Sequence, residues 1–231
     1  MSRPRLAVLV SGGGSNLQSI IDHHAAIGDR RASDLVLVAS NREEAGALQR
    51  ARAAGITAAT VASRSAPLSP PLDILLRQHD IELVALAGYV NLVPAEVVRR
   101  FHRRILNIHP GPLPAFGGHG MYGSRVHAAV LGAGATHSGP TIHFVDEEYD
   151  RGPVIAHWPV AVLPGDTADD LAARVLRAEH RLYPRVIDAV AGGVIGASPI
   201  VLPVFDPSRN DLQLEDLVGR ALADASARML S

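Results

Sequence analysis

Short apolar runs rich in β-branched residues alternate with helical patterns along the first half of the chain. Continuous runs of this kind are typical of strands buried on both faces, as in a parallel sheet. The helices between them predict a Rossmann-like, doubly wound α/β fold with helices on both sides of the sheet. Predicted strands lie at 6–10, 35–38, 56–61, 81–87 and 104–108, and predicted helices end near 24, 54 and 100.

The second half of the chain predicts a different arrangement. A loop rich in Gly and Pro (110–123) and a helix (126–131) precede two strands, at 141–145 and 154–162, that are close enough in sequence to pair antiparallel. A long helical pattern then covers 166–191, with Thr167 as its N-cap, and an amphipathic helix is predicted for 211–230. We therefore expect a mostly parallel sheet with an antiparallel addition, in one domain (1–203) followed by a tail (204–231).

Composition excludes several classes of site. The 231 residues contain no cysteine, which rules out disulfides, cysteine zinc sites and a cysteine nucleophile. The 22 basic and 23 acidic residues give no charge excess to attract nucleic acid, and only 4% of residues are aromatic. His23 and His24 have the pattern of surface helix positions, and no metal-binding spacing occurs. No apolar stretch suits a signal peptide or a membrane span, so a cytoplasmic protein is expected.

A glycine-rich run, Ser-Gly-Gly-Gly-Ser-Asn at 11–16, lies between the first strand and the first helix. Glycines let the backbone approach an anion closely, and a helix N-terminus offers free N–H groups and a positive dipole end. Leu17 stands where the dinucleotide fingerprint needs a third glycine, and no Gly-Lys-Ser/Thr follows. A single phosphate therefore fits this loop better than a dinucleotide. The alternative is a glycine turn that binds nothing.

Asn107 and His109 stand two residues apart at the end of the fifth predicted strand, so their side chains project to the same face. Open α/β sheets hold their ligands at this end of the strands. An Asn amide and a His ring can together stabilise an oxyanion, and Pro110 stops the strand, which places His109 at an edge and not deep in the sheet. Asp150, in the next turn between strands, can raise the pKa of a facing histidine. The alternative is a structural histidine and a turn-forming aspartate.

Six motifs follow one another along the chain. They are the glycine loop (10–18), Leu-Ala-Gly-Tyr (86–89), Ile-Leu-Asn-Ile-His-Pro (105–110), Thr-Ile-His-Phe-Val (141–145), Asp-Arg-Gly-Pro-Val-Ile (150–155) and Ala-Glu-His-Arg-Leu-Tyr-Pro (178–184). In this order they resemble the phosphoribosylglycinamide formyltransferases, a family of folate-dependent enzymes of purine synthesis. The resemblance extends to about residue 203.

The resemblance implies that a formyl group passes from 10-formyltetrahydrofolate to the amine of 5-phosphoribosylglycinamide, without a metal. It implies that Asn107, His109 and Asp150 are catalytic, with Asp150 holding His109 charged. Residues 1–110 would form the phosphoribosyl side and 111–203 the folate side. The acceptor would be held by Gly14, Ser15, Asn16 and Glu179, and the folate by Val90, Asn91, Leu92, Val93, Asn107, Val145, Asp146 and Asp150.

Three features depart from the family pattern. Asn91 stands where the family usually has a basic residue, the loop after the histidine reads Pro-Gly-Pro-Leu-Pro (110–114), and the segment between Ile56 and Ile81 is several residues short. Because none of them changes Asn107, His109 or Asp150, we expect them to affect affinity and specificity more than reaction class.

Three other functions are alternatives to this interpretation of the sequence. A formyltetrahydrofolate deformylase would pass the formyl group to water, and it carries a further domain before the strand that begins here at Leu6. A methionyl-tRNA formyltransferase needs a nucleic-acid-binding domain, for which the tail after Pro203 is short and not basic. A non-catalytic mononucleotide-binding module would share only the glycine loop. Small-molecule partners are expected, with no nucleic acid and no membrane, in a monomer or homodimer.

Overall fold

The computed structural model describes residues 2–194 and 199–228, and within them the chain forms ten strands. They are β1 (Arg5–Val10), β2 (Asp34–Ser40), β3 (Thr57–Thr60), β4 (Leu83–Leu86), β5 (Ile105–His109), β6 (His137–Ser138), β7 (Thr141–Phe144), β8 (Val154–His157), β9 (Val160–Ala161) and β10 (Ile200–Val201). Eight of them form one sheet in the order β10-β8-β7-β5-β4-β1-β2-β3, while β6 and β9 pair separately.

Seven helices surround this sheet in the described part of the chain. They are α1 (Ser15–Ile27), α2 (Gly46–Ala53), α3 (Leu72–Gln78), α4 (Ala95–Arg100), α5 (Ser124–Gly132), α6 (Ala168–Ala191) and α7 (Asp211–Ala227), and a 3-10 turn (Gly28–Arg30) follows α1. Strands β1 to β5 run parallel, β7 is antiparallel to β5, and β8 is antiparallel to β7. The predicted fold, a mostly parallel sheet with an antiparallel addition, is confirmed.

The central strand β1 shows why its sequence is apolar throughout. Leu6 and Val8 point into one hydrophobic core, and Ala7 and Leu9 point into a second core on the other face of the sheet. All four are fully buried. Because alternate residues of a strand face opposite sides, a strand covered on both faces needs apolar residues at every position.

The chain crosses over beside β1, which has β2 on one side and β4 on the other. The chain first runs from β1 through β2 to β3, and only then returns to β4 and β5. Connections that leave β1 and β4 therefore diverge, and such a switch point opens a crevice at the carboxyl ends of the strands. The glycine loop after β1 and the end of β5 both lie at this edge.

The structure corrects two of the predicted elements. The strand predicted at 154–162 is two strands, β8 and β9, which are interrupted at Trp158 and Pro159 and belong to different sheets. Pro159 has no N–H to continue a ladder, and the N–H of Trp158 bonds instead to the carbonyl of Pro140 at 3.1 Å. Helix α3 was not predicted from the sequence, although its buried residues Leu72, Leu75 and Leu76 stand at helical spacing.

The two C-terminal helices agree with their predicted starts. Thr167 caps α6, since its hydroxyl accepts a hydrogen bond from the N–H of Asp170 and the Asp170 carboxylate accepts one from the N–H of Thr167. Helix α7 begins at Asp211 as predicted and ends at Ala227, while 229–230 of the predicted helix lie outside the described residues. None of the described helices has the length and apolar character needed to cross a membrane.

His23 and His24 are not surface residues, contrary to the prediction. His24 is buried in α1, and only about a tenth of the His23 side chain is exposed. Both rings face Asp188 of α6: the Nε2 of His23 lies 2.9 Å, and that of His24 3.5 Å, from the carboxylate. The pair therefore links α1 to α6.

Candidate active site

A cavity of about 780 Å³ lies at the carboxyl ends of β4 and β5. Asn107, His109 and Asp150 all line it, as predicted from the two-residue spacing in β5 and from the turn after β7. Asn16 of α1 and Glu179 of α6 line the same cavity. Polar groups from four separate segments of the chain thus meet in one pocket, which is the usual form of an enzyme site.

Asp150 is the residue that joins the others. Its Oδ2 accepts a hydrogen bond of 2.9 Å from the N–H of Gly118 and lies 3.6 Å from Nδ1 of His109. Its Oδ1 accepts a hydrogen bond of 3.2 Å from the side-chain amide of Asn107. The backbone of Asp150 is left-handed, with a φ of 55°, a conformation that aspartate tolerates better than most residues.

The Asp150 carboxyl group is set up to stay ionised. Burial alone would raise its pKa, but the hydrogen bond from the N–H of Gly118 and the nearby histidines His143 and His109 together outweigh burial. The pKa of Asp150 therefore lies below its ordinary value, and the group is a carboxylate at neutral pH.

His109 ends β5 as predicted, but its ring is not at an open edge, because only 3% of the residue is exposed. Its Nε2–H donates a hydrogen bond of 2.8 Å to the carbonyl of Phe116. Burial lowers the pKa of His109 below its ordinary value, and the opposing effects of Asp150 and Phe116 do not restore it. The direction of this shift is opposite to the expectation that Asp150 holds His109 charged, although the effect of Asp150 itself has the predicted sign.

His143 belongs to this group and was missed as a site residue by sequence reasoning. It pairs with Asn107 across the antiparallel strands β5 and β7, and its Nε2 lies 3.0 Å from the side-chain nitrogen of Asn107. Its Nδ1–H donates to the carbonyl of Phe144 at 2.8 Å, which leaves Nε2 free to accept from Asn107. The two amide hydrogens of Asn107 are thus directed at His143 and Asp150.

The glycine loop forms a helix N-terminus with free N–H groups. Gly14 has a φ of 78°, and α1 begins directly after it at Ser15. Among the described residues no side chain caps this terminus, and its first turn carries no acidic residue. Such a terminus favours an anion. Of the three predicted phosphate-binding residues, Asn16 lines the cavity, whereas Gly14 and Ser15 lie outside its lining.

Glu179 is a buried residue of the cavity lining, next to Asn16. Its carboxylate accepts a hydrogen bond of 2.6 Å from the side-chain amide of Asn16. Burial raises the pKa of Glu179 from 4.5 to about 7, against the opposing effect of Asn16. The group therefore changes its charge near neutral pH, as functional carboxyl groups often do.

Most of the residues predicted to hold the folate lie in the lining of this cavity. Those that line the cavity include Val90, Asn91, Leu92, Val93 and Val145. Val90 and Leu92 expose apolar side chains there, at 41% and 46% of their surface. Asp146 does not line the cavity, and its carboxylate accepts a hydrogen bond of 3.0 Å from the N–H of Glu148 in the adjacent turn.

Across the described residues, no group of three or more His, Asp or Glu side chains has the arrangement of a metal-binding site.

Comparison with known proteins gives consistent matches. Residues 4–187 match the family model of the formyl transferases. The chloroplastic phosphoribosylglycinamide formyltransferase of Vigna unguiculata is 48% identical over 194 residues, which cover 81% of this chain and 61% of that protein. The chain thus spans about three fifths of the length of this curated relative.

Solved structures also match the chain, and they agree with the match to the formyl transferase family model. Glycinamide ribonucleotide transformylase 1 from Symbiobacterium toebii superposes with a TM-score of 0.74 at 38% identity, over 88% of this chain and 95% of that one. A formyltetrahydrofolate deformylase from Pseudomonas syringae pv. tomato superposes with a TM-score of 0.73 over 89% of this chain and 67% of that one, but at 22% identity it shows the shared fold alone. The family model covers most of the chain, and the chain therefore belongs to the formyltransferase family.

Proposed function

We propose that this protein transfers the formyl group of 10-formyltetrahydrofolate to the amine of 5-phosphoribosylglycinamide, a step of purine biosynthesis. The observation that carries the proposal is the convergence of Asn107, His109 and Asp150 on one cavity whose lining also includes the Asn16–Glu179 pair. The relatives and solved structures that match at 38–48% identity are named as enzymes of this reaction, which supports it.

The acceptor is proposed to lie between the glycine loop and the catalytic residues. Gly14, Ser15 and Asn16 would hold its phosphate at the N-terminus of α1, and Glu179 would contact it near its amine and ribose. The folate would occupy the apolar part of the cavity beside Val90 to Val93 and Val145. The same assignment divides a single domain, 1–203, into a phosphoribosyl side up to residue 110 and a folate side after it.

The reaction needs charge stabilisation at the formyl oxygen. As the amine attacks the formyl carbon, a C–N bond forms and the oxygen gains negative charge. The Asn107 N–H that is donated to Asp150 lies at the cavity wall, and it is the donor that would turn to the formyl oxygen as negative charge develops there. His143 fixes the amide plane from behind, since the other N–H of Asn107 points at it.

The reaction also moves a proton from the attacking amine to the leaving folate nitrogen. His109 is suited to carry it, because burial lowers the pKa of His109 and so favours the neutral ring, whose Nε2–H is donated to Phe116. The remaining ring nitrogen, Nδ1, faces the Asp150 carboxylate, which stabilises the ring when it gains the proton. When the bond from the formyl carbon to the folate nitrogen breaks, the proton passes to that nitrogen.

One assay separates the proposed function from its rivals. The purified protein is incubated with 10-formyltetrahydrofolate, with and without 5-phosphoribosylglycinamide, and folate deformylation is followed. Formyl release that depends on the acceptor is expected. Release without acceptor would favour the deformylase, and no release under either condition would favour a binding module. The cytoplasmic location and the choice between monomer and homodimer stay predictions.

A further inference from the structure

A second cavity of about 670 Å³, which we call the basic groove, lies between α1, α6 and α7. Ser15 of the glycine loop lines this groove, whereas its neighbour Asn16 lines the reaction cavity. The loop thus separates two cavities, and the N-terminus of α1 lies between them.

The two cavities carry opposite charges. Among the described residues, the lining of the reaction cavity includes one arginine, Arg125, and four carboxylate residues: Glu148, Asp150, Asp169 and Glu179. The basic groove has the reverse balance, with the cations Arg30, Arg50, Arg181 and Arg185 and the carboxylates Asp22 and Glu215. An acceptor with an amine at one end and a phosphate at the other would therefore be oriented by these fields, the amine toward the reaction cavity and the phosphate toward the groove.

Two of the groove arginines are already neutralised. Arg181 pairs with Asp211, and Arg185 lies 2.8 Å from the carboxylate of Glu215, both of which belong to α7. Arg30 and Arg50 have no carboxylate partner in the described part of the chain, and of these two Arg50 is the one that contacts the glycine loop. Its charge is available to a ligand.

Arg50 is also held against the glycine loop. Its Nε donates a hydrogen bond of 2.8 Å to the carbonyl of Gly13, and its Nη1 donates one of 3.1 Å to the side chain of Gln18. These contacts span the loop and the first turn of α1. A guanidinium fixed in this way loses little further freedom when an anion approaches.

We propose that Arg50 is the specificity-determining cation for the phosphate end of the acceptor. It supplies positive charge from the groove side of the loop, whereas carboxylates outnumber arginines in the lining of the reaction cavity. The proposal rests on the proposed function for the identity of the acceptor. It assigns to the groove the selection of a phosphorylated acceptor over the same riboside without phosphate.

The test compares Arg50→Gln with Arg52→Gln, an exposed arginine of the same helix that lines neither cavity. Each variant is assayed with 5-phosphoribosylglycinamide and with its dephosphorylated riboside. Arg50→Gln is expected to lower kcat/KM for the phosphorylated acceptor about tenfold through KM, since a charged hydrogen-bonding partner is lost. The riboside, the folate KM and the Arg52→Gln variant are expected to match the wild type, and Arg50→Lys is expected to recover most of the loss because it keeps the charge.

An equal loss with both acceptors would overturn the proposal, because it would show that Arg50 acts only by shaping the loop through Gly13. Unchanged kinetics in Arg50→Gln would overturn it as well. If the wild type transfers no formyl group, the proposed function fails but the groove is still testable with inorganic phosphate. Phosphate is then expected to raise the melting temperature of the wild type and of Arg52→Gln more than that of Arg50→Gln, and equal shifts would overturn the assignment.

Discussion

Asn16 donates a hydrogen bond of 2.6 Å to Glu179, a residue 163 positions later in the chain. The bond joins the first turn of α1 to the middle of α6, and thus the glycine loop to the buried carboxyl group. Both residues line the reaction cavity. The acceptor side of the site is therefore held together by contacts within the fold, which lowers the entropy cost of binding.

Glu179→Gln is expected to change how stability depends on pH. The pKa of Glu179 is raised from 4.5 to about 7, so the folded protein keeps a proton that the unfolded chain releases. The corresponding stability is fully present below pH 4.5 and is lost as the pH rises through 7. A glutamine does not ionise, so the variant does not lose this stability. Its free energy of unfolding, relative to that of the wild type, should rise by roughly 3 kcal/mol between pH 4.5 and pH 8. Urea unfolding of both proteins at pH 4.5 and at pH 8 measures this change. The prediction would be contradicted if the free energies of unfolding of variant and wild type differed by the same amount at the two pH values.

Asp150→Asn is expected to lower kcat by about 10²–10⁴-fold, because the amide cannot stabilise a protonated His109. Folding should survive, since asparagine also tolerates the left-handed backbone at this position. His109→Ala should give a loss of similar order. Steady-state kinetics and unfolding curves of the purified variants measure both effects. Wild-type turnover in either one would remove the proposed catalytic roles.

His143→Phe is expected to reduce kcat about tenfold to a hundredfold with little change in either KM, because Asn107 loses the acceptor that orients its amide. His143→Gln, which keeps a hydrogen-bonding side chain, serves as the matched variant and should lose less. If the two variants lose activity equally, His143 contributes by packing and not by orienting Asn107.

Gly14→Ala is expected to destabilise the protein by about 1–3 kcal/mol and to raise the acceptor KM. Its φ of 78° suits glycine, and an added Cβ would lie 2.6 Å from the Cβ of Ala47. Gly12→Ala is the control, because a Cβ there would meet nothing within 4 Å among the described residues. Denaturant unfolding compares the two, and equal stability losses would show that the tight packing of the loop is not the cause.

The fold was predictable from the sequence where one local rule decided the structure. Strand β1 is apolar at every position because both faces of the sheet are covered, and that pattern appears in the sequence itself. Helix α3 was not predicted because it has only seven residues, and three buried leucines in so short a segment are a weak signal of a helix. The break at Pro159 depended on a contact with Pro140, which no local pattern reveals.

In the candidate site, too, features set by local sequence were predictable and features set by tertiary contacts were not. The shared face of Asn107 and His109 was predictable from the period of a strand, since it needs no knowledge of neighbours. The position of His143 depends on the register between β5 and β7, which is set by tertiary packing. The net pKa shift of His109 was mispredicted because Asp150 was visible in the sequence, whereas the burial that exceeds its effect was not.

The pairing of β5 with β7 also decides which kinds of mutation this protein tolerates. Asn107 lies opposite His143 and His109 lies opposite Thr141, so the catalytic face depends on the count of residues as well as on their identity. Deleting or inserting a single residue at the start of β5 would turn both of its polar side chains toward the opposite core, and the same change in β7 would turn His143 away from Asn107. Descendants of this sequence are therefore expected to accept changes of length in surface turns such as the one before β6, and to keep the length of β5 fixed even where its apolar residues vary.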